Sequence, residues 1–145
     1  MIRSIGSKQE LKIFLKNKKF QNILIISGYN SYKKTKADIY FQSIFKDKKI
    51  YFYFKKSSVT EYIELINLIK FKESIKPNLI IAVGGGCVLD YAKIISNFKI
   101  YHDIKKRLIN SDLDLKIRNN TKVLAIPTTA GSGAEVTSNA VLYID

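Results

Sequence analysis

A short apolar run followed by three consecutive glycines most constrains how this chain can fold. Residues 79–83 read LIIAV, the glycines are Gly84, Gly85 and Gly86, and residues 87–93 continue with helical spacing. A strand that delivers glycines to the start of a helix lets backbone N–H groups come close to an anion. The segment therefore predicts a strand–turn–helix unit with a phosphate site at the turn, which favours a nucleotide as the ligand.

The triple glycine alone is weak evidence, because it lacks the G-x-G-x-x-G spacing of the dinucleotide fingerprint, and a tight structural turn also explains it. A second segment supports the nucleotide. The apolar residues 123–126 end at a proline and open into residues 128–137, which read TTAGSGAEVT. Ligands of open parallel sheets bind beyond the carboxyl ends of the strands. We therefore expect both glycine-rich ends to flank one crevice, with hydroxyl donors from Thr128, Thr129 and Ser132.

Strand and helix patterns alternate along the chain. The brief apolar or β-rich runs predict strands at residues 23–27, 50–54, 79–83 and 123–126, and a further strand at 135–145. Helical spacing predicts helices at residues 7–18, 32–46, 86–98 and 104–109, and one patterned by Tyr62, Leu65, Ile66 and Ile69. This alternation predicts right-handed βαβ units, hence an α/β fold: a Rossmann-like, mainly parallel sheet with helices on both faces.

Length and composition predict one nucleotide-binding domain over residues 1–145, since 46% hydrophobic residues can supply its core. Residues 1–6 are too short and polar for a secretory signal, and no apolar run approaches a membrane span, so we predict a cytoplasmic protein with no membrane partner. The single cysteine, Cys87, cannot form an internal disulfide.

The net charge of +13, from 25 basic and 12 acidic residues, raises the possibility of a nucleic-acid surface. Arginine, the residue that usually reads bases and clamps phosphates, occurs only at Arg3, Arg107 and Arg118. The lysines are spread through most segments and form no single stripe. We therefore predict no nucleic-acid partner and attribute the lysine excess to biased codon usage.

The two glycine-rich segments resemble motifs of a known family. GGGCVLDYAK at residues 84–93 and PTTAGSGAEVT at residues 127–137 are similar to the GGGSxxDxAK and PTTAGTGSEVT motifs of the iron-containing (group III) alcohol dehydrogenases. The resemblance implies an N-terminal nucleotide-binding domain followed by a helical domain that carries one Asp and three His as metal ligands. The chain ends at Asp145, before any of these, and its one histidine, His102, which we expect at the surface, cannot build that site.

The resemblance implies a function for the chain as the cofactor-binding half of a metal-dependent alcohol dehydrogenase. Such an enzyme transfers hydride between an alcohol or aldehyde and NAD or NADP, with Fe²⁺ or Zn²⁺ only in a full-length enzyme. We expect the chain alone to be inactive, and a homo-oligomer or a missing C-terminal domain as its partner. The alternatives are a relative like glycerol dehydrogenase or dehydroquinate synthase, a basic binding module, and a decayed fragment.

The resemblance also assigns cofactor contacts. It implies that Gly84, Gly85 and Gly86 bring backbone close to the pyrophosphate, and that the N–H of Cys87, where the family usually has serine, assists them. A further loop and an asparagine resemble cofactor contacts of the family: Thr128, Thr129, Gly131, Ser132 and Asn139. The alternative for the loop is a hydroxyl-rich turn. The alternative for Cys87 is a reactive thiol whose pKa is lowered by the helix N-terminus.

One acidic residue has an implied catalytic role. Asp90 resembles a family aspartate near the nicotinamide and substrate side of the cleft. Its place in the first turn of a helix, with Lys93 three residues on, is also explained by the helix dipole and an ion pair.

Two further positions concern the adenosine end of the cofactor. Gly28 stands where many NAD-using members have an aspartate that binds the adenine ribose, so no carboxylate repels a 2′-phosphate. NADP is then tolerated or preferred, with Lys33 or Lys34 compensating its charge. Ser58 either replaces an adenosine-side contact or caps a helix through a capping box with Glu61.

Overall fold

The computed structural model describes residues 7–16, 20–98, 103–110, 121–131, 133–137 and 139–144. Within them four strands form one parallel sheet: β1 (Asn22–Ser27), β2 (Lys49–Phe54), β3 (Leu79–Gly84) and β4 (Lys122–Pro127). Their order across the sheet is β2-β1-β3-β4. The helices are α1 (Lys8–Lys16), α2 (Tyr29–Lys34), α3 (Ala37–Ile44), α4 (Tyr62–Ile75), α5 (Gly86–Asn97) and α6 (Ile104–Ile109).

Helices cover both faces of the sheet, because side chains alternate between the faces along each strand. Leu24 and Ile26 of β1 belong to a core formed with α4, α5 and α6. Ile23 and Ile25 belong to the core on the other face, formed with α1, α2 and α3. The central strands β1 and β3 are therefore almost wholly buried. The predicted Rossmann-like α/β fold is confirmed, and no described helix is long and apolar enough to cross a membrane.

The single helix predicted for residues 32–46 is wrong, since α2 and α3 are separate helices. Lys36, between them, has φ 54° in the left-handed region, which interrupts the helix. The Thr35 hydroxyl donates to the carbonyls of Ser31 and Tyr32, at 2.9 and 3.1 Å. This local side-chain hydrogen bonding competes with helix continuation.

The capping box predicted for Ser58 is also wrong. Helix α4 begins at Tyr62, after Glu61 in extended conformation, and no side chain caps it. Tertiary contacts hold this backbone instead. The Glu61 N–H donates to the Tyr91 hydroxyl at 2.8 Å, and the Tyr62 N–H donates to the carbonyl of Tyr143 at 3.0 Å.

The strand predicted for residues 135–145 is not formed in the described part of that segment. It contributes only an isolated parallel bridge between Tyr143 and Glu61. The Tyr143 N–H donates to the carbonyl of Thr60 at 2.8 Å, so the segment binds the start of α4 rather than an edge of the sheet. A β-rich composition without a strand to pair with leaves the segment irregular. The prediction of a surface position for His102 lies outside the described residues.

Candidate functional site

A cleft of about 340 Å³ lies at the carboxyl ends of the strands. The residues that line it follow all four strands: Gly28 and Ser31 after β1, Lys55 and Ser58 after β2, Gly85, Gly86, Cys87 and Val88 after β3, and Thr129 after β4. Strands β1 and β3 are neighbours, but the helices that follow them pack on opposite faces of the sheet. Such a topological switch point is where open α/β sheets bind ligands.

The turn after β3 places the start of α5 at this cleft. Gly85 is the N-cap residue and Gly86 is the first helical residue. The first N–H groups of a helix have no acceptor in the preceding turn, so the amides of Gly86 and Cys87 are available to an anion. Lys55 is the one charged residue among the described lining residues, and no carboxylate is among them. The site is therefore suited to a negatively charged ligand.

Gly84 and Gly85 each make a close contact that a side chain would disturb. A Cβ on Gly84 would lie 2.6 Å from Val88 Cγ2, so this glycine lets α5 pack closely on β3. A Cβ on Gly85 would meet Thr129 Oγ1 at 3.0 Å. The Thr128 N–H donates to the Gly84 carbonyl at 3.0 Å. The two glycine-rich segments therefore lie side by side, as expected from the sequence.

The structure brings about half of the predicted site residues together. Those that line the cleft are Gly28, Ser58, Gly85, Gly86, Cys87 and Thr129. Gly84 and Thr128 lie beside it and contact each other through their backbones. Gly131, with φ 91°, and Asn139 are exposed and are not among the lining residues, and Ser132 lies outside the described residues.

Asp90 also does not line the cleft. Its carboxylate lies 2.8 Å from Lys93 Nζ and accepts a hydrogen bond from the Val141 N–H at 3.3 Å. Lys93 in turn donates to the carbonyl of Asn139. In this structure Asp90 and Lys93 tie the C-terminal segment to α5, which is the ion-pair alternative. The catalytic role of Asp90 stays a prediction.

The reactive-thiol alternative for Cys87 is wrong in its direction. Burial raises the pKa of the Cys87 thiol, and the opposing hydrogen bond with Thr60 and the charge of Lys55 are smaller effects. A thiol with a raised pKa carries little thiolate at neutral pH. The Cys87 thiol is therefore poorly suited to act as a nucleophile in the cleft.

Sequence reasoning missed Ser31, Lys55 and Val88 as lining residues. Lys55 directly follows a strand, which is the signal that would have found it, but it was one of many dispersed lysines. Its own N–H donates to the carbonyl of Ser27 at 2.9 Å, so it continues the β1–β2 ladder to the edge of the cleft beside Gly28.

A buried carboxylate holds the loop that carries Lys55. Glu64 of α4 is 9% exposed and accepts hydrogen bonds from the N–H groups of Lys56 and Ser57, at 2.7 and 3.1 Å. The Tyr91 hydroxyl of α5 donates to Glu64 Oε2 at 3.1 Å. Burial, above all, raises the pKa of Tyr91, so its hydroxyl stays protonated and keeps this hydrogen bond. Glu64 thus joins α4, α5 and the loop after β2.

The resemblance implies metal ligands only in a following helical domain and none among the described residues. The described residues contain no group of three or more His, Cys, Asp and Glu side chains that could hold a metal ion. This part of the chain therefore supplies no set of metal ligands among its described residues.

Comparison with known proteins bears on the family. A model of the family described as iron-containing alcohol dehydrogenase matches residues 1–145. An aldehyde-alcohol dehydrogenase of Streptococcus pneumoniae is 40% identical over 76 residues, which cover 46% of this chain and 9% of that protein. An NADPH-dependent butanol dehydrogenase of Clostridium saccharobutylicum is 40% identical over 72 residues, which cover 46% of this chain and 18% of that protein.

A solved structure supports the fold. The iron-containing alcohol dehydrogenase of Thermococcus thioreducens superposes with a TM-score of 0.68 at 19% identity, over 99% of this chain and 39% of that chain. The chain thus spans well under half the length of each of these proteins. The family match over all 145 residues confirms the resemblance carried by the two glycine-rich motifs: the chain belongs to the iron-containing alcohol dehydrogenase family.

Proposed function

We propose that residues 1–145 are the nucleotide-binding domain of a metal-dependent NAD(P) alcohol dehydrogenase, which interconverts an alcohol and an aldehyde or ketone. The observation that carries this proposal is the cleft at the switch point between β1 and β3. It combines the amino end of α5, three hydroxyl side chains, one lysine and no lining carboxylate. An extended dinucleotide with a charged pyrophosphate matches that lining.

The residues of the cleft suggest which groups hold each part of the cofactor. The amides of Gly86 and Cys87 bind the pyrophosphate, and Thr129, which contacts the same turn, adds a hydroxyl. Gly28 and Ser31 face the adenosine ribose, and Ser58 lies on the adenosine side after β2. The nicotinamide, when bound, accepts or supplies the hydride. Asp90 stays our proposed residue for the substrate side, although it binds the C-terminal segment in this structure.

The metal and the far wall of the active site belong to a further domain in this proposal. We expect the 145-residue chain to bind NAD(P)H and to oxidise no alcohol, with or without added Fe²⁺ or Zn²⁺, because the described residues hold no metal site. Metal-dependent oxidation of butanol by the purified chain, followed as NADPH absorbance, would show this expectation to be wrong.

NADP is the cofactor that we propose to be tolerated or preferred. Gly28 leaves no carboxylate after β1 to repel a 2′-phosphate, and the one charged lining residue is a lysine. A relative in the family is named as NADPH-dependent. Comparable or tighter binding of NADH would remove this preference while leaving the dinucleotide site intact.

Fluorescence titration of the purified chain with NADPH tests the proposed function. Saturable binding is expected, and Gly86→Asp, which puts a carboxylate at the amino end of α5, should weaken it by at least about tenfold through charge repulsion. Labelled double-stranded DNA at two salt concentrations is the control for a basic binding module, because contacts with DNA phosphates weaken steeply as salt rises. Tight, salt-sensitive DNA binding without NADPH binding would replace the proposal with that alternative.

A further inference from the structure

The charge of the cleft is concentrated at one side chain. Lys55 is half-buried and is the one charged residue among the described residues that line the cleft. Its ammonium donates to the carbonyl of Ser57, a neutral acceptor. No carboxylate of the described residues forms an ion pair with it. Its positive charge is therefore not neutralised within this part of the protein and faces whatever occupies the cleft.

The position of Lys55 relates it to the adenosine end of a bound dinucleotide. Strand β2 pairs with β1, and the Lys55 N–H donates to the Ser27 carbonyl just before Gly28. Gly28 and Ser31 line the same cleft beside it, whereas Gly86 and Cys87 lie beyond β1 at the start of α5. If the pyrophosphate lies on α5 and the adenosine ribose lies on the side of Gly28 and Ser31, as in the proposed function, the ribose would lie beside Lys55.

The loop of Lys55 is held in place before any ligand arrives. Glu64 binds the N–H groups of the next two residues, Lys56 and Ser57, and Tyr91 binds Glu64 from α5. Because these hydrogen bonds already order the loop, little conformational entropy is lost there when a ligand binds.

The lysines that the sequence suggested for this role are placed less well. Lys33 Nζ lies 2.8 Å from Asp38 Oδ2, and its hydrogen bond lowers the pKa of the Asp38 carboxyl below its ordinary value. Its charge is therefore shared with an acidic partner. Lys34 is exposed, and neither lysine is among the residues that line the cleft.

We propose that Lys55 is the specificity-determining residue that selects a 2′-phosphorylated nucleotide, NADP(H), over NAD(H), in the cleft it shares with Gly28 and Ser31. This inference rests on the proposed function and names the group that reads the adenosine ribose. A point charge on a flexible stem suits a phosphate that is also bound by hydroxyls, and the absence of a lining carboxylate beside Gly28 leaves room for it.

The test compares the affinities of the purified chain for NADPH and NADH at constant ionic strength. Lys55→Gln keeps a hydrogen-bond donor at the end of a side chain one bond shorter and removes the charge. It should weaken NADPH binding by about tenfold or more and change NADH binding by less than about twofold, as expected for the loss of a charge-assisted contact. Lys34→Gln removes a neighbouring charge outside the cleft and is the matched control, and circular dichroism checks that each variant is folded. Competition by 2′-AMP against 5′-AMP should show the same loss for the 2′-phosphate alone.

The outcomes separate the inference from the proposed function. If the wild-type chain binds neither nucleotide, both are overturned. If the wild-type chain binds both nucleotides, and Lys55→Gln lowers the two affinities equally or changes neither affinity, the inference alone is overturned. If Lys34→Gln or Lys33→Gln shifts the ratio and Lys55→Gln does not, the selecting charge lies on α2, and the inference is again overturned. Retention of the preference for NADPH over NADH in Lys55→Arg, which keeps the positive charge, supports the inference.

Discussion

The turn after β3 and the loop after β2 lie on either side of β1 and line the same cleft, but different interactions hold them. The β3 turn is held by close packing, since Val88 lies so close to Gly84 that a Cβ there would be 2.6 Å from Val88 Cγ2. The β2 loop is held by polar contacts: Glu64 of the next helix, α4, accepts hydrogen bonds from the loop, and Tyr91 of α5 donates to Glu64. One wall thus depends on the shape of neighbouring residues and the other on buried hydrogen bonds. We therefore expect added volume to destabilise the first wall and loss of a hydrogen-bonding group to destabilise the second.

The largest expected effect is on the packed wall. Gly84→Ala places a Cβ 2.6 Å from Val88 Cγ2 and 2.9 Å from Val88 Cβ, so α5 must shift away from β3. We expect the free energy of unfolding to fall by about 3 kcal/mol, as for other overpacked cores. Urea denaturation measures it.

A double-mutant cycle with Val88→Ala shows whether the contact with Val88 is the cause. Removing the two γ-methyl groups of Val88 relieves the closest contact of the new methyl, at 2.6 Å, so the double variant should lose less stability than the sum of the two single changes. Strict additivity would mean that close packing at Gly84 is not what holds this wall.

The next effect is on the hydrogen-bonded wall. Tyr91→Phe removes the hydroxyl that accepts from the Glu61 N–H and donates to Glu64. Leaving buried polar groups without partners should cost about 2 kcal/mol in the free energy of unfolding. Tyr32→Phe is the matched control, because the Tyr32 hydroxyl is buried with no hydrogen-bond partner among the described residues, and its removal should be neutral or stabilising. Equal losses in the two variants would contradict the role of the Tyr91 hydroxyl.

A smaller effect concerns pH, at the rings that pack on β2. Tyr32 contacts the rings of Phe52 and Phe54, and burial, with a smaller effect of the Asp38 charge, raises the pKa of Tyr32 to about 12. The unfolded chain loses this proton near pH 10 and the folded chain near pH 12, so folding stability is fully present below pH 10 and declines as pH rises through this window. Tyr32→Phe should make the decline shallower by about 1 kcal/mol between pH 10 and pH 11. Parallel curves for the wild type and the variant in alkaline urea titrations would contradict this.

The smallest expected effect is at the end of β1, between the two walls. A Cβ on Gly28 would meet only Ser31 Oγ, at 3.7 Å, and its φ of −80° suits any residue. Gly28→Ala should therefore change the free energy of unfolding by no more than about 0.5 kcal/mol, toward greater stability, by restricting the unfolded chain. Thermal denaturation of Gly28→Ala and Gly84→Ala side by side measures the difference. A large loss of stability in Gly28→Ala would show that packing also requires a glycine at position 28.

The packed wall was predictable from the sequence, whereas the hydrogen-bonded wall was not. The run LIIAV, three glycines and a helical pattern are contiguous, so their local geometry follows from strand burial and the needs of a close turn. Lys55 gave only a weak signal, its place directly after a predicted strand, because its importance depends on where β2 lies in the sheet. Glu64 reads as an ordinary polar residue of a helix until the loop after β2 is seen to bind it.

The same distinction explains the errors in the elements. The break at Lys36 and the start of α4 at Tyr62 depend on hydrogen bonds that compete with helix formation, from Thr35 in one case and from Tyr91 and Tyr143 in the other. The irregular course of the C-terminal segment depends on Asp90 and Lys93 of α5. Periodicity reports which face of an element is apolar, but it carries no information on such partners.

The sequence by itself determined the four parallel strands, the two core faces and the close turn at Gly84, because these follow from the spacing of apolar residues and the absence of a Cβ. Only the tertiary structure decided that Ser31 and Lys55 line the cleft and that Asp90 does not. The strand order sets Lys55 beside Gly28, and the buried Glu64 binds the next two residues of that loop. Asp90 pairs with Lys93 and does not line the cleft. The physical reason is that burial of apolar surface depends on local pattern, whereas a directional hydrogen bond needs a partner whose position only the folded chain supplies.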